Sequence, residues 1–257
     1  MSVTTHSPTS AQADPQAAKP TEGTLTGQQP PPRDFELVRY DEFADRVRKL
    51  CQESAGVQSA LRAGLGKPVT EVPARMHAAL LRPGLIHENP DQPGYPDKER
   101  AYYAVAALIA ARPRAQRIAE TPHAPESGAE ADTPGAAPGP AVDAAGSAFH
   151  PRGTSLGESF ADAVGRRSPD DLKSGAAESR LHLLVRQDLD GVHRMLPGVF
   201  RWLGSSGVTP DYACLLRDLT AWHYRRDTVT TRWLQAFYRS LRRQEAAVEQ
   251  RPAAPST

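Results

Sequence analysis

The 257-residue sequence predicts an all-α protein: two small helical bundles joined by a long disordered insertion. Three observations lead there. Apolar residues recur at three- and four-residue spacing wherever large side chains occur. Runs rich in Val, Ile and Thr with period two are missing, so no strand is predicted. Half of the 24 prolines crowd into residues 1–32 and 121–151, which excludes one continuous fold over the whole length.

The first unit, residues 1–33, is Pro, Thr, Gln, Ala and Gly with almost no large apolar side chain, and is expected to be a disordered extension. A helical subdomain is expected over 34–112. In it Tyr40, Phe43, Val47 and Leu50 follow 3-4-3 spacing, and Val57, Leu61 and Leu65 run up to a glycine-flanked stop at Gly64–Gly66. Thr70, Glu71 and Pro73 open a helix holding Met76 and Leu80, ended by Pro83–Gly84. Asp97 is the expected cap of a helix through Val105, Leu108 and Ile109, stopped by Pro113.

Residues 113–154, rich in Pro, Ala and Gly and acidic, are expected to be a disordered insertion. A basic helical subdomain is expected over 155–243. Ser155-Leu-Gly-Glu158 is a capping-box pattern, and Leu156, Phe160 and Val164 share one face. Residues 177–190 carry Leu181, Leu184 and Leu189. The next helix holds Val192, Leu196, Val199 and Leu203, with Pro197 as a kink or a fresh turn. Thr209-Pro210-Asp211 starts another, with Leu215, Leu219 and Trp222 along it. Asp227 is the expected cap of the last helix, carrying Val229, Trp233, Phe237 and Leu241. The remaining residues, 244–257, are expected to be a disordered tail.

The formal net charge of +1 conceals segregation. Residues 121–155 hold four acids against Arg152, net −3, while residues 178–243 hold eleven arginines against six acids, net +5. Only five of the 31 basic residues are lysines; a guanidinium fork matches phosphate geometry and stacks on bases. A basic segment of this kind fits a polyanionic partner, although a solvated helical face or a GC-rich genome gives the same count.

Other classes lose ground. Cys51 and Cys214 are far apart, with no CxxC, so a zinc ribbon or dithiol site has no support; both fit buried free thiols. No apolar run is long enough to span a membrane, and no signal core is visible, so a cytoplasmic protein is expected. GLGKPV at 64–69 lacks the Ser or Thr and the leading strand of a P-loop and fits a helix C-cap. DLDG at 188–191 faintly echoes a calcium loop but lacks the third ligand and distal Glu, and is read as a helix-ending turn. No nucleophile elbow occurs. Neither an enzyme nor a bound cofactor is expected.

The positive signal is arginine on helices. Arg232 and Arg239 lie two turns apart, opposite Val229, Trp233 and Phe237. Arg225 and Arg226 occupy the connection before Asp227, where both could reach one backbone phosphate. Arg180, Arg186, Arg194 and Arg201 add to the preceding helices. For any one of them, a salt bridge to a neighbouring acid is the competing reading. Of the three tryptophans, Trp222 and Trp233 match the core stripe, and Trp202 falls beside it, where it could stack on a base.

The run from Ser179 to Tyr238 resembles the CasB family, the small subunit of the type I-E CRISPR surveillance complex Cascade. Ser155-Leu156-Gly157 looks like that family's helix opening. Ser179-Arg180 with Leu183-Leu184, and Leu215-Leu216-Arg217-Asp218-Leu219 with Trp222, look like two of its helices. Arg232-Trp233 and Phe237-Tyr238 look like its closing one, and Leu61-Arg62 like its short Leu-Arg turn. The resemblance spans roughly 34–112 and 155–241. It implies an all-α, non-catalytic subunit present in two copies. It also implies a CasC-type backbone subunit and a CasA-type large subunit as neighbours. The basic surface is then expected to hold crRNA and the displaced single-stranded DNA without reading sequence. The residues expected to form it are Arg62, Arg180, Arg186, Arg201, Arg217, Arg225, Arg226 and Arg232. The alternative is a helical protein–protein adaptor whose arginines meet acidic partners.

Overall fold

The structure, a computed structural model, describes residues 35–86, 88–113, 153–166 and 174–250. The expected N-terminal extension, and all but the edges of the expected insertion, lie outside the described residues. Among those described there are eight α-helices, one short 3₁₀ turn and no strand. They are α1 (Phe35–Glu53), α2 (Ala55–Arg62), α3 (Ala74–Leu81), α4 (Tyr95–Ala111), α5 (Leu156–Gly165), α6 (Ser174–Val185), α7 (Leu189–Ser205) and α8 (Tyr212–Glu249).

The helix starts follow the local chemistry. Ser54 accepts from the Val57 amide at 3.3 Å and opens α2. Ser155 and Glu158 close a reciprocal capping box on α5. Asp211 accepts from the Cys214 amide at 2.9 Å to start α8, and its second oxygen takes the Thr154 amide at 3.2 Å. One carboxylate therefore ties the entry of α5 to the start of α8.

Several boundaries differ from expectation for physical reasons. α1 begins five residues before Tyr40, because Leu37 is also fully buried. α4 starts at Tyr95 after a left-handed Gly94, which leaves Asp97 in the first turn rather than at the cap. DLDG opens a helix instead of ending one: the Asp188 side chain accepts from the Gly191 amide at 2.7 Å. Pro197 sits inside α7 without ending it. α8 continues to Glu249, six residues past the expected end of helical structure.

α8 holds the fold together. Its backbone leaves helical geometry at one residue, Arg225 (φ −134°, ψ 28°). In a straight helix residues 218 and 232 would lie about 21 Å apart. Yet Arg232 Nη2 donates to Asp218 Oδ1 at 2.5 Å and Trp233 Nε1 to Asp218 Oδ2 at 2.6 Å. The Trp222 and Trp233 rings are 5.2 Å apart. These contacts require two arms, 212–224 and 226–249, folded sharply toward each other. The expected break before Asp227 is therefore present, two residues early. The β-branched run Thr228-Val229-Thr230-Thr231 beside it is a poor helix former.

The first arm meets α1 through Tyr40 and Thr220 and α4 through Asp97 and His223, and the second lies against α5 at Gly157 and Trp233. That last crossing depends on Gly157: a Cβ there would sit 1.9 Å from the Trp233 carbonyl oxygen, a backbone atom that cannot rotate away. One buried cluster runs through both halves of the sequence, from Phe43, Met76 and Tyr103 to Phe160, Trp222 and Phe237. Both tryptophans on the apolar stripe are in it, as are Cys51 and Cys214, free and buried.

Candidate nucleic-acid interface

The eight predicted arginines divide by what holds them. Arg217 and Arg232 converge on Asp218, which is 1% exposed. Arg217 Nε donates to it at 3.1 Å beside the Arg232 and Trp233 contacts. Burial pushes the Asp218 carboxyl above its ordinary value, while the Arg232 and Arg217 guanidiniums and the indole N–H pull the other way. Three donors on two oxygens make the bridge that joins the two arms of α8. Arg217 is mostly covered; Arg232 keeps part of its side chain in solvent.

The other six are spread over four elements. α2 ends on the exposed Arg62, and the turn that follows brings Gly66 against α7, where an added Cβ would lie 3.5 Å from the Pro197 ring. Pro197 shares an arc of α7 with Arg194 and Arg201, one turn to either side and both exposed. The turn also carries the exposed Lys67. Arg201 adjoins Trp202, and the Arg180 guanidinium of α6 lies 5.3 Å from the Trp202 ring centroid. Trp202 itself is partly buried, 5.2 Å from Phe160, so its ring belongs to the edge of the core.

The exposed Arg186 follows the last residue of α6. Arg226 Nη2 donates to the Val185 carbonyl at 3.2 Å, which satisfies an orphan acceptor at that helix end. Arg225, at the bend of α8, is exposed with its guanidinium 5.6 Å from the Tyr224 ring. A series of contacts therefore links the α2 turn to α7, α7 to α6 and α6 to the α8 bend, with the arginine track spread over these elements. Arg62, Arg186 and Arg201 have no acid partner along it among the described residues.

Three members of this surface escaped sequence reasoning. Lys67 lies in the GLGKPV segment whose pattern fits a helix C-cap, and Arg194 adds to the charge without a place among the predicted site residues. Tyr224, 63% exposed, was overlooked, although a large aromatic off the apolar stripe beside two arginines is a readable signal. Among the described residues no cluster of His, Cys, Asp and Glu could hold a metal ion. No helix among them is long and apolar enough to cross a membrane.

This fold is that of a small helical subunit, and the comparisons with known proteins agree. The family model of CRISPR-associated protein Cse2 matches residues 57–238. The chain belongs to that family, the family of CasB, the small subunit of type I-E Cascade. A solved chain described as "CRISPR RNA-guided surveillance complex" is 31% identical, with a TM-score of 0.58, covering 83% of this chain and 99% of that one. A second, described as "CRISPR RNA-guided surveillance complex, pre-nicking", is 32% identical over 83% of this chain and 99% of that one, also at 0.58. The crystal structure of M. ruber CasB shares the fold at 22% identity and a TM-score of 0.53, covering 82% and 98%. No curated protein matches the chain.

Proposed function

We propose that this Cascade subunit binds the phosphate backbone of crRNA and of displaced single-stranded DNA along the arginine track, without catalysis. The bend of α8 carries the reading. Tyr224 and Arg225 are exposed there, and Arg226 bonds the Val185 carbonyl next to Arg186, so cations and one aromatic face stand where a strand could pass. The track crosses elements from both halves of the sequence, which suits an extended polymer better than a small ligand. Affinity should come from counterion release, without base reading. Within the cytoplasmic complex, the CasC-type backbone subunit, the CasA-type large subunit and a second copy of this chain are the expected neighbours.

The test is salt-dependent binding of a labelled single strand. Arg225→Ala with Arg226→Ala should weaken binding and flatten the dependence of log K on log salt by roughly 0.7 per lost phosphate contact. An unchanged slope removes the bend from the site. A wild-type chain with no affinity for a strand up to high micromolar favours the adaptor reading. Arg217→Gln should leave the slope alone, because that guanidinium serves Asp218.

A further inference from the structure

A second basic feature lies off this track, on the outer arm of α8. An open cleft of about 650 Å³ is walled by Arg232, Arg239, Arg242 and Arg243 of α8 and by Glu158 of α5. Arg232 and Arg239 are two helical turns apart, and Arg242 and Arg243 continue the line for a total of about 16 Å. Two of the four walls are braced. Arg232 is held by Asp218 at 2.5 Å, and Arg243 Nη2 reaches Glu158 Oε1 at 3.5 Å. Glu158 is itself fixed by accepting the Ser155 amide at 2.9 Å. Arg239 and Arg242, both exposed, have no acid partner among the described residues. Three of the four arginines fall beyond residue 238, where the match to the Cse2 family ends.

The uncharged lining decides what fits. It consists of Gln235, Ala236 and Ala246. No aromatic ring on which a base could stack is among the lining residues. Seven of the eight lining residues fall on one face of α8, so the guanidiniums form a row along it, suited to a regularly charged chain. With Arg232 matched by Asp218 and Arg243 by Glu158, the Arg239 and Arg242 guanidiniums leave a surplus of positive charge. Guanidinium forks match phosphate oxygens two at a time.

We infer that this cleft is a phosphodiester-binding site, continuing the path of a bound single strand past the bend of α8 along its outer arm. The inference rests on the strand-binding reading above and extends its footprint. Contacts here are to phosphate only, so this part of the footprint is indifferent to sequence and to the sugar.

The experiment uses the full chain with Arg239→Gln and Arg242→Gln together. These two are exposed and unpaired, so the melting temperature should stay at the wild-type value. Labelled oligonucleotides of increasing length are titrated at several salt concentrations, beside the Arg225→Ala, Arg226→Ala variant. The expected result is a slope lower by roughly 1.4 for the Gln pair, two contacts at 0.7 each. The loss should appear only with strands long enough to reach from the bend into the cleft. If the Gln pair keeps the wild-type slope at every length while the bend variant loses it, the cleft is not a phosphate site and the strand-binding reading survives. If a labelled poly-glutamate peptide binds through Arg239 and Arg242 and the strand does not, the cleft is a protein-docking surface and the inference is overturned. If wild-type chain binds no strand at all, the reading and the inference fall together.

Discussion

The two arms of α8 belong to one helix and yet obey different rules. Along 212–224 the buried positions run almost all the way round: Tyr212, Cys214, Leu215, Leu216, Asp218, Leu219, Thr220 and Trp222. Beyond the bend the buried positions shrink to one stripe, Val229, Trp233, Phe237 and Ser240. A helix apolar all round is an interior helix, and one with a single stripe shows its other face to solvent. The difference settles what an arginine can do on each. On the inner arm Arg217 must be matched, and Asp218 is buried to match it. On the outer arm Arg239 and Arg242 need no partner within the chain and are left for an anion from outside. Arg232, beside the bend, is shared: its guanidinium is committed to Asp218 while part of its side chain remains in solvent.

If that division is right, inner-arm changes should move stability and spare the salt slope, and outer-arm changes should do the reverse. The largest effect belongs to Asp218→Ala. It strands two guanidiniums and an indole N–H and removes the bridge between the arms, at a cost of about 3–5 kcal/mol by denaturant unfolding. Adding Arg232→Ala to it should restore part of that loss in a double-mutant cycle. Simple additivity would show that the bridge does not couple the arms. Gly157→Ala comes next. Its Cβ meets the Trp233 carbonyl oxygen of the outer arm, so α5 and α8 must separate, with a loss of up to about 3 kcal/mol. A melting temperature equal to wild type would show that the two helices do not approach so closely.

A smaller effect on the interior depends on pH. His193 on α7 is 3% exposed. Burial, and then the Arg100 guanidinium, lower its pKa to about 3, against a weaker pull from Asp190. Arg100 is bridged to Asp190 itself, which clips α4 to the start of α7. The folded chain therefore holds fewer protons at this site than the unfolded chain between pH 6.5 and about 3. Stability from this group is complete above pH 6.5 and falls as pH drops through that window, by at most about 1.4 kcal/mol per unit. Unfolding free energies at pH 7, 6, 5 and 4 should show this slope, and His193→Gln should flatten it. Equal slopes in the two proteins would assign the pH dependence to other groups.

Much of this was legible in the residues. The caps at Ser155 and Asp211 stand in plain patterns, and the apolar stripes placed Trp222 and Trp233 in the core because their spacing leaves no other face. The bend was visible through Arg225, Arg226 and Asp227, since a polar, charged stretch interrupts two apolar stripes there. What stayed hidden depends on the third dimension. Asp218 and Arg232 are fourteen positions apart, and only the folding of one arm against the other makes them partners. Gly66 meeting Pro197, which carries Arg62 and Lys67 to α7, is likewise a contact between distant segments. The cleft on the outer arm was hidden because Glu158 of α5 meets Arg243 across 85 positions, a contact only the packing of α5 on α8 creates.

The smallest expected change in stability is at the bend itself, and it separates the two arms most finely. Tyr224 belongs to the inner arm by position but is exposed like the outer arm. Tyr224→Ala should therefore alter unfolding free energy by no more than about 0.5 kcal/mol. Its effect on strand binding should differ in kind from that of its neighbours. An aromatic face contributes by stacking on a base, a term worth about 1–3 kcal/mol that carries no counterion release. Affinity should fall at every salt concentration while the slope of log K against log salt stays at the wild-type value, and Tyr224→Phe should retain most of the affinity. A change in slope would mean that Tyr224 acts by positioning the Arg225 guanidinium. No change in affinity would leave the bend as a phosphate contact alone.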